Sequence, residues 1–125
     1  MMRRLLPIVI LSLLAGCANV PARKYVVFFS PNSATLDEAA QNVVTEAAQI
    51  AERYPAGVLK IEGYAAAGKD LSADELLAID RTKVVSKQLV SDGVAENRLR
   101  QQPRPTTGED KSVAARRVEI EFVAP

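Results

Sequence analysis

The sequence contains no histidine and only one cysteine in 125 residues. The first absence removes the commonest general base, the commonest metal ligand and every Ser-His or Cys-His arrangement. No cofactor, metal or enzymatic activity is expected, since a carboxylate pair such as Asp70 and Asp74 has no catalytic motif around it. An excess of one charge is also missing. Sixteen basic residues face 15 acidic ones, so nothing suggests nucleic acid, whose binders concentrate positive charge on one face. Long apolar runs are absent too: the stretch Leu5 to Ala15 has 11 residues and contains Pro7, whereas a helix needs roughly 20 to cross a bilayer. Internal repeats and low-complexity tracts are lacking.

What is present at the start is Met1-Met2-Arg3-Arg4, the short apolar stretch, and Gly16-Cys17. A basic start, an apolar core and small residues before a processing point form a secretory signal. A plain signal peptide cut after Gly16 with a chance cysteine is one reading. The sequence Leu14-Ala15-Gly16-Cys17 more closely resembles the bacterial lipobox, which implies diacylglycerol on the Cys17 sulfur, cleavage before it and acylation (palmitate) of the new amine. One acyl chain holds a protein only marginally, but several on one cysteine make a lasting tether. Ala18 stands where an aspartate would resemble an inner-membrane retention signal. The expected location is therefore the inner leaflet of the outer membrane, with the domain in the periplasm. Residues 1–16 are read as signal, 17–24 as lipidated cysteine and tether, and 25–125 as one domain. The tether reaches roughly 25 Å at full stretch.

Within that domain, Tyr25-Val26-Val27-Phe28-Phe29 is β-branched and aromatic throughout, which predicts a strand buried on both faces or central in its sheet, with Tyr25, Phe28 and Phe29 in the core. Thr35-Leu36-Asp37-Glu38 has the form of a capping box with Thr35 as N-cap. Leu36, Ala40, Val43, Ala47, Ile50 and Tyr54 then mark one face of an amphipathic helix, ended at Tyr54-Pro55. Val58 to Tyr64 alternates as a half-buried strand, Leu59 and Ile61 on one side and Lys60 and Glu62 on the other. After a small-residue loop, Ser72-Ala73-Asp74-Glu75 forms a second capping box, opening a helix with Leu77, Arg81, Val84, Val85 and Gln88 or Leu89 along one side. Gly93 closes it. A weaker strand follows over 98–102, then a loop to about Ser112, and Arg117 to Val123 alternates apolar and charged residues. The order β-α-β-α-β-β predicts an α+β fold, a mixed sheet of about four strands with both helices on one face.

From Tyr25 to Phe122 these landmarks resemble the OmpA-like peptidoglycan-binding domain found in peptidoglycan-associated lipoproteins. The resemblance rests on Phe28-Phe29-Ser30, Gly63-Tyr64, Arg81 in Leu77-Ala78-Ile79-Asp80-Arg81-Thr82, Gly93-Val94, Arg98-Leu99 and Arg116-Arg117-Val118-Glu119-Ile120. It implies a site that grips the zwitterionic diaminopimelate side chain of the peptidoglycan stem peptide. An arginine takes the carboxylate in its planar fork, and an aspartate takes the ammonium.

Carried across, the arginine is Arg81, but the aspartate position holds Ala66, preceded by Ala65; the family's asparagine maps onto Asp74. Losing one partner of a buried charge pair costs about 2–5 kcal/mol, so the ligand site diverges and wall binding is expected to be weak. Asp70, Asp74 and Glu75 stand near enough in sequence to supply a relocated acid, or are solvated residues suited to a helix N-terminus. The expected ligand-binding set is Arg81, Asp74, Asp70, Ala66 and Tyr64; Arg81 is alternatively a structural ion-pair partner of Asp80 or Asp74, and Arg117 a strand-end support. Two functions follow: a link from outer membrane to wall through peptidoglycan, or a divergent module that binds other envelope proteins in an envelope or secretion assembly.

Overall fold

The computed structural model describes residues 23–65, 71–104 and 115–124, with the side chains of residues 71 and 72 left aside. Four strands, β1 (Lys24–Phe28), β2 (Val58–Gly63), β3 (Leu99–Pro103) and β4 (Arg117–Val123), and two helices, α1 (Glu38–Arg53) and α2 (Leu71–Ser91), follow the order β1-α1-β2-α2-β3-β4, with a single 3-10 turn before β3. The sheet order is β1-β4-β2-β3. The pairs β1–β4 and β2–β4 are antiparallel and β2–β3 is parallel. This is the expected α+β architecture.

Alternation decides the two faces of the sheet. Val27 and Phe29, Leu59 and Ile61, and Val118, Ile120 and Phe122 point to one side and form a single core with Ala40, Val44 and Ala47 of α1 and Val85 and Leu89 of α2. Both helices therefore cover the same face. The other face carries Lys60, Glu62, Glu119 and Glu121, joined by Lys60–Glu62 and Lys60–Glu121 ion pairs at 3.0 and 3.3 Å.

Several sequence expectations are corrected. Strand β1 is an edge strand, not a central one. Its Tyr25, Val27 and Phe29 face the helices, while Phe28 turns away and is 49% exposed, so it is not core. An all-apolar pentad cannot reveal which of its faces stays open. Helix α1 starts at Glu38, capped by Asp37, whose carboxylate accepts the Ala40 N–H at 2.7 Å. Thr35 instead lies in the preceding loop, where its N–H donates to Ser33 Oγ. The buried stripe of α1 is Ala40, Val44, Ala47, Ala48 and Ala51, with Val43 and Ile50 at its margin. Helix α2 begins at Leu71, so Ser72 lies in its first turn rather than ahead of it. Its buried side is Ala78, Arg81, Thr82, Val85, Ser86 and Leu89, with Leu77 and Val84 only half-buried.

The end of α2 is as expected. Gly93 has φ 105°, its N–H bonds to Val90 O, and the Val94 N–H reaches back to Leu89 O. This is the Schellman closure, with Val94 buried. No helix among the described residues is long and apolar enough to cross a membrane.

Candidate functional site

Arg81 is the largest fully buried side chain of the described residues. A guanidinium reaches such a position only where its donors find acceptors. Nε donates to Ser33 O at 2.8 Å, Nη1 to Tyr64 O at 3.0 Å and Nη2 to Ser30 O at 3.1 Å. The same group lies 5.3 Å from the centre of the Phe29 ring. Arg81 thus fastens three segments at one end of the sheet: the exit of β1, the loop into α1, and the exit of β2.

Local geometry prepares those acceptors. The Ser30–Ser33 turn is closed by Ser33 N–H bonding to Ser30 O, with Asn32 in the left-handed region at φ 54°, where a short polar residue is tolerated. On the opposite side, α2 comes very close to β2 at Gly63. A Cβ there would collide with Thr82 Oγ1 and Ala78 O, so only glycine lets the helix settle deep enough for Arg81 to meet Tyr64 O.

A second guanidinium stands beside this one. Arg116 donates from Nε to Phe29 O at 3.1 Å and stands close enough to influence Arg81. Burial pushes the Arg81 guanidinium down to about 10, and the charge of Arg116 adds to the shift; it remains protonated at neutral pH. Among the described residues, Arg81 is held by carbonyl oxygens and no carboxylate forms an ion pair with it. The expected pairing with Asp80 or Asp74 is therefore not the arrangement found: Asp80 is exposed, and Asp74 is half-buried seven residues earlier in α2, about two turns away.

Tyr64 contributes its carbonyl to Arg81, but its ring lies on the other face of the sheet. There its hydroxyl donates to Glu62 Oε2 at 3.1 Å, and the Arg117 guanidinium stacks 3.9 Å over the ring. Glu62 is buried despite facing away from the helices, and Arg104 also pairs with it. Burial raises its carboxyl, but hydrogen bonds from Lys60 and Tyr64 and the charges of Lys60 and Arg104 outweigh this and hold it below the usual range. Burial and the neighbouring Glu62 raise the Tyr64 hydroxyl.

Of the expected site residues, the fold brings Arg81 and the Tyr64 carbonyl together; Asp74 is not among the groups bonded to Arg81, and Ala66, Asp70 and Cys17 lie outside the described residues. Sequence reasoning missed Arg116 and the Ser30 and Ser33 carbonyls. Alternation through the Arg116-Arg117 doublet separates the two: Arg117 goes to the outer face and Arg116 to the Arg81 side. Backbone acceptors carry no such signal.

Comparison with known proteins follows the same lines. A model described as the OmpA family matches residues 28–119. The fold is similar to that of the peptidoglycan-associated lipoprotein from Burkholderia pseudomallei, with TM-score 0.69 and 20% identity over 79% of this chain and 90% of that one. It is also similar to the C-terminal domain of Helicobacter pylori MotB, with TM-score 0.66 and 22% identity over 82% and 85%. The OmpA-like domain of FopA1 from Francisella tularensis gives TM-score 0.65 and 14% identity over 82% and 75%. Among curated proteins none matches.

Proposed function

The chain belongs to the OmpA family, and from that footing we propose that it is a lipoprotein, cut before Cys17 and acylated there, whose domain associates non-covalently with peptidoglycan and links the outer membrane to the wall. The observation that carries this reading is the Arg81 centre, a buried guanidinium beside Arg116 with carbonyls as its described ligands. Carbonyl oxygens take three of its five N–H donors and no carboxylate among the described residues pairs with it, and a carboxylate would supply both acceptors and charge. The wall-peptide carboxylate is a ligand of that kind. The Burkholderia protein of the same fold is by name peptidoglycan-associated.

Direction supports the arrangement. Strand β1 runs from Lys24 to Phe28, just before Ser30, so the Arg81 end lies at the far end of that strand from its start, which suits a site reaching away from an anchor at Cys17. Affinity is expected to be low for two reasons. Ala66 supplies no anion for the ammonium end of diaminopimelate. Arg81 also has no exposed surface, so the site must open before a carboxylate reaches it.

A second reading has its own observation. Arg81 has no exposed surface, which suits a divergent module that keeps this arginine as a structural tie and binds other envelope proteins instead. Pelleting the mature protein with purified peptidoglycan separates the two. Weak, salt-sensitive pelleting that free diaminopimelate-containing peptide competes away, and that Ala66→Asp strengthens, supports wall association. No pelleting at low salt by either protein rejects it in favour of the second reading.

A further inference from the structure

Strand β3 forms the edge of the sheet opposite β1. Its register shows which backbone groups look outward. Arg104 N–H bonds to Gly63 O, and Gly63 is paired with Pro103 in a parallel ladder. In such a ladder alternate residues turn both their N–H and C=O toward the partner. Arg100, Gln102 and Arg104 therefore face β2, while Leu99, Gln101 and Pro103 face outward. Leu99 N–H is used by the preceding turn, bonding to Glu96 O, and Pro103 has none. Among the described residues the open edge is thus short: the Leu99 carbonyl, the Gln101 N–H and carbonyl, and the Pro103 carbonyl.

Above this edge, on the helix side, runs a groove of about 390 Å³ between α2 and β3. Leu99 and Val90 provide its apolar surface, and Val90 is 42% exposed. Lys83 and Lys87 line the same groove from α2, with Glu96 the only acid of its lining. One helical turn separates the two lysines, so they form a single rim. Neither makes an ion pair among the described residues, in contrast to the outer face of the sheet, where Lys24, Lys60, Arg104 and Arg117 all do.

We propose that the β3 edge and the Lys83–Lys87 groove dock an extended acidic peptide segment of a partner protein, added to the sheet as a fifth strand. Edge pairing supplies sequence-independent hydrogen bonds, and pockets for alternate side chains supply selection. Here one side chain of the incoming strand covers Val90 and Leu99, and the next acidic one on that face meets the lysine rim. Pro103 ends the ladder on one side and the 3-10 turn ends it on the other. This limits the strand to a few residues and guards against open-ended pairing. The surface shares no residue with the Arg81 centre, so the inference stands whichever reading of that centre holds.

The test is an amide NMR titration of the mature ¹⁵N-labelled lipoprotein in detergent micelles, with a capped peptide repeating Val-Thr-Glu-Thr, which sets valine and glutamate in turn on one face of a strand, as the probe and its Val-Thr-Lys-Thr counterpart as control. The glutamate peptide is expected to shift and protect the Gln101 amide, and to shift Leu99, Lys83, Lys87 and Val90. Charge reversal by Lys83→Glu with Lys87→Glu is expected to weaken it about tenfold or more, with the rest of the spectrum unchanged. Gln101→Pro removes the one open donor and is expected to abolish protection at the edge. Equal binding of the lysine peptide, shifts confined to the outer face or the Arg81 end, or no shift at Gln101 up to about 1 mM peptide, overturns the proposal. Concentration-dependent shifts at Gln101 without peptide overturn it too, because they make a second copy the occupant.

Discussion

Gly63 and Thr82 touch so closely that β2 and α2 have no room for a methyl group between them: a Cβ on Gly63 would overlap Thr82 Oγ1 and the Ala78 carbonyl oxygen. The Thr82 hydroxyl is itself held by donating to Ala78 O at 2.8 Å, and Ser86 Oγ repeats the arrangement one turn later on Thr82 O. Small, internally bonded residues let the helix lie this close while leaving no hydroxyl unpaired. Gly63→Ala is therefore expected to destabilise the domain by about 1–3 kcal/mol, the usual range for overpacking a filled core, read as a lower urea midpoint. Adding Thr82→Ala should recover part of that loss and not all of it, because the Ala78 carbonyl remains in the way.

Two arginines hold the fold together by the same device. Arg81 ties Ser30, Ser33 and Tyr64 carbonyls. Arg98 donates to Gly57, Ala51 and Tyr54 carbonyls at 2.9, 3.0 and 2.8 Å, closing the C-terminus of α1, where a cation is favoured. Hydrogen bonds from a charged group are worth about 1.5–3 kcal/mol, and the Ser30, Ala51 and Tyr54 carbonyls keep a backbone donor, so Arg81→Ala and Arg98→Ala are each expected to lose roughly 2–4 kcal/mol in denaturant unfolding. Arg81→Lys keeps the charge but cannot reach three diverging oxygens, and should fall between wild type and alanine. Arg98→Ala then serves as the stability-matched control for wall pelleting. A loss of pelleting in Arg81→Ala that Arg98→Ala does not share is a ligand effect rather than an unfolding effect.

Much of this fold is legible in the sequence because period and punctuation agree with tertiary structure. The strict alternation from Arg117 to Val123 gives β4 its bounds and its faces, and Gly93 gives α2 its end. The failures have physical causes. Tyr25 to Phe28 is apolar at every position, and strand order alone decides that one of its faces stays open. Thr35 and Asp37 both have capping chemistry; burial of Leu36 before the helix begins selects Asp37. The candidate site was legible as a single letter, Arg81, but its surroundings were not. The groups that hold it are carbonyls of residues whose side chains play no part, and every residue has a carbonyl.

The reading of Cys17 makes a separate prediction. In cells fed a labelled fatty acid, the protein should carry label and partition with membranes, whereas Cys17→Ala should carry none and accumulate uncleaved, since the modified cysteine is what the lipoprotein-processing step requires. A cleaved, unlabelled wild-type protein released in soluble form points instead to a plain signal peptide cut after Gly16. With three acyl chains the tether is effectively permanent, whereas one chain alone binds only marginally, so salt washing should not release it.

Acid sensitivity follows from Glu62. Its folded-state carboxyl is held below its ordinary value of 4.5 by Lys60, Tyr64 and Arg104 despite its burial. A carboxyl whose folded pKa is depressed contributes stability above its unfolded pKa and loses that contribution as pH falls through the folded one. The contribution should therefore be constant from neutral pH to about 5 and be lost as pH falls below the ordinary carboxyl range through the depressed folded value. Lys60, whose ammonium is raised by its hydrogen bond to Glu62 and then by Glu121, stays charged throughout and adds no slope in that window. Thermal unfolding of Glu62→Gln should show a lower midpoint at pH 7 and a shallower decline into acid than wild type, the two curves converging as Glu62 takes up its proton. Parallel curves with a constant offset would assign the acid loss to other carboxylates and leave Glu62 as a packing residue only.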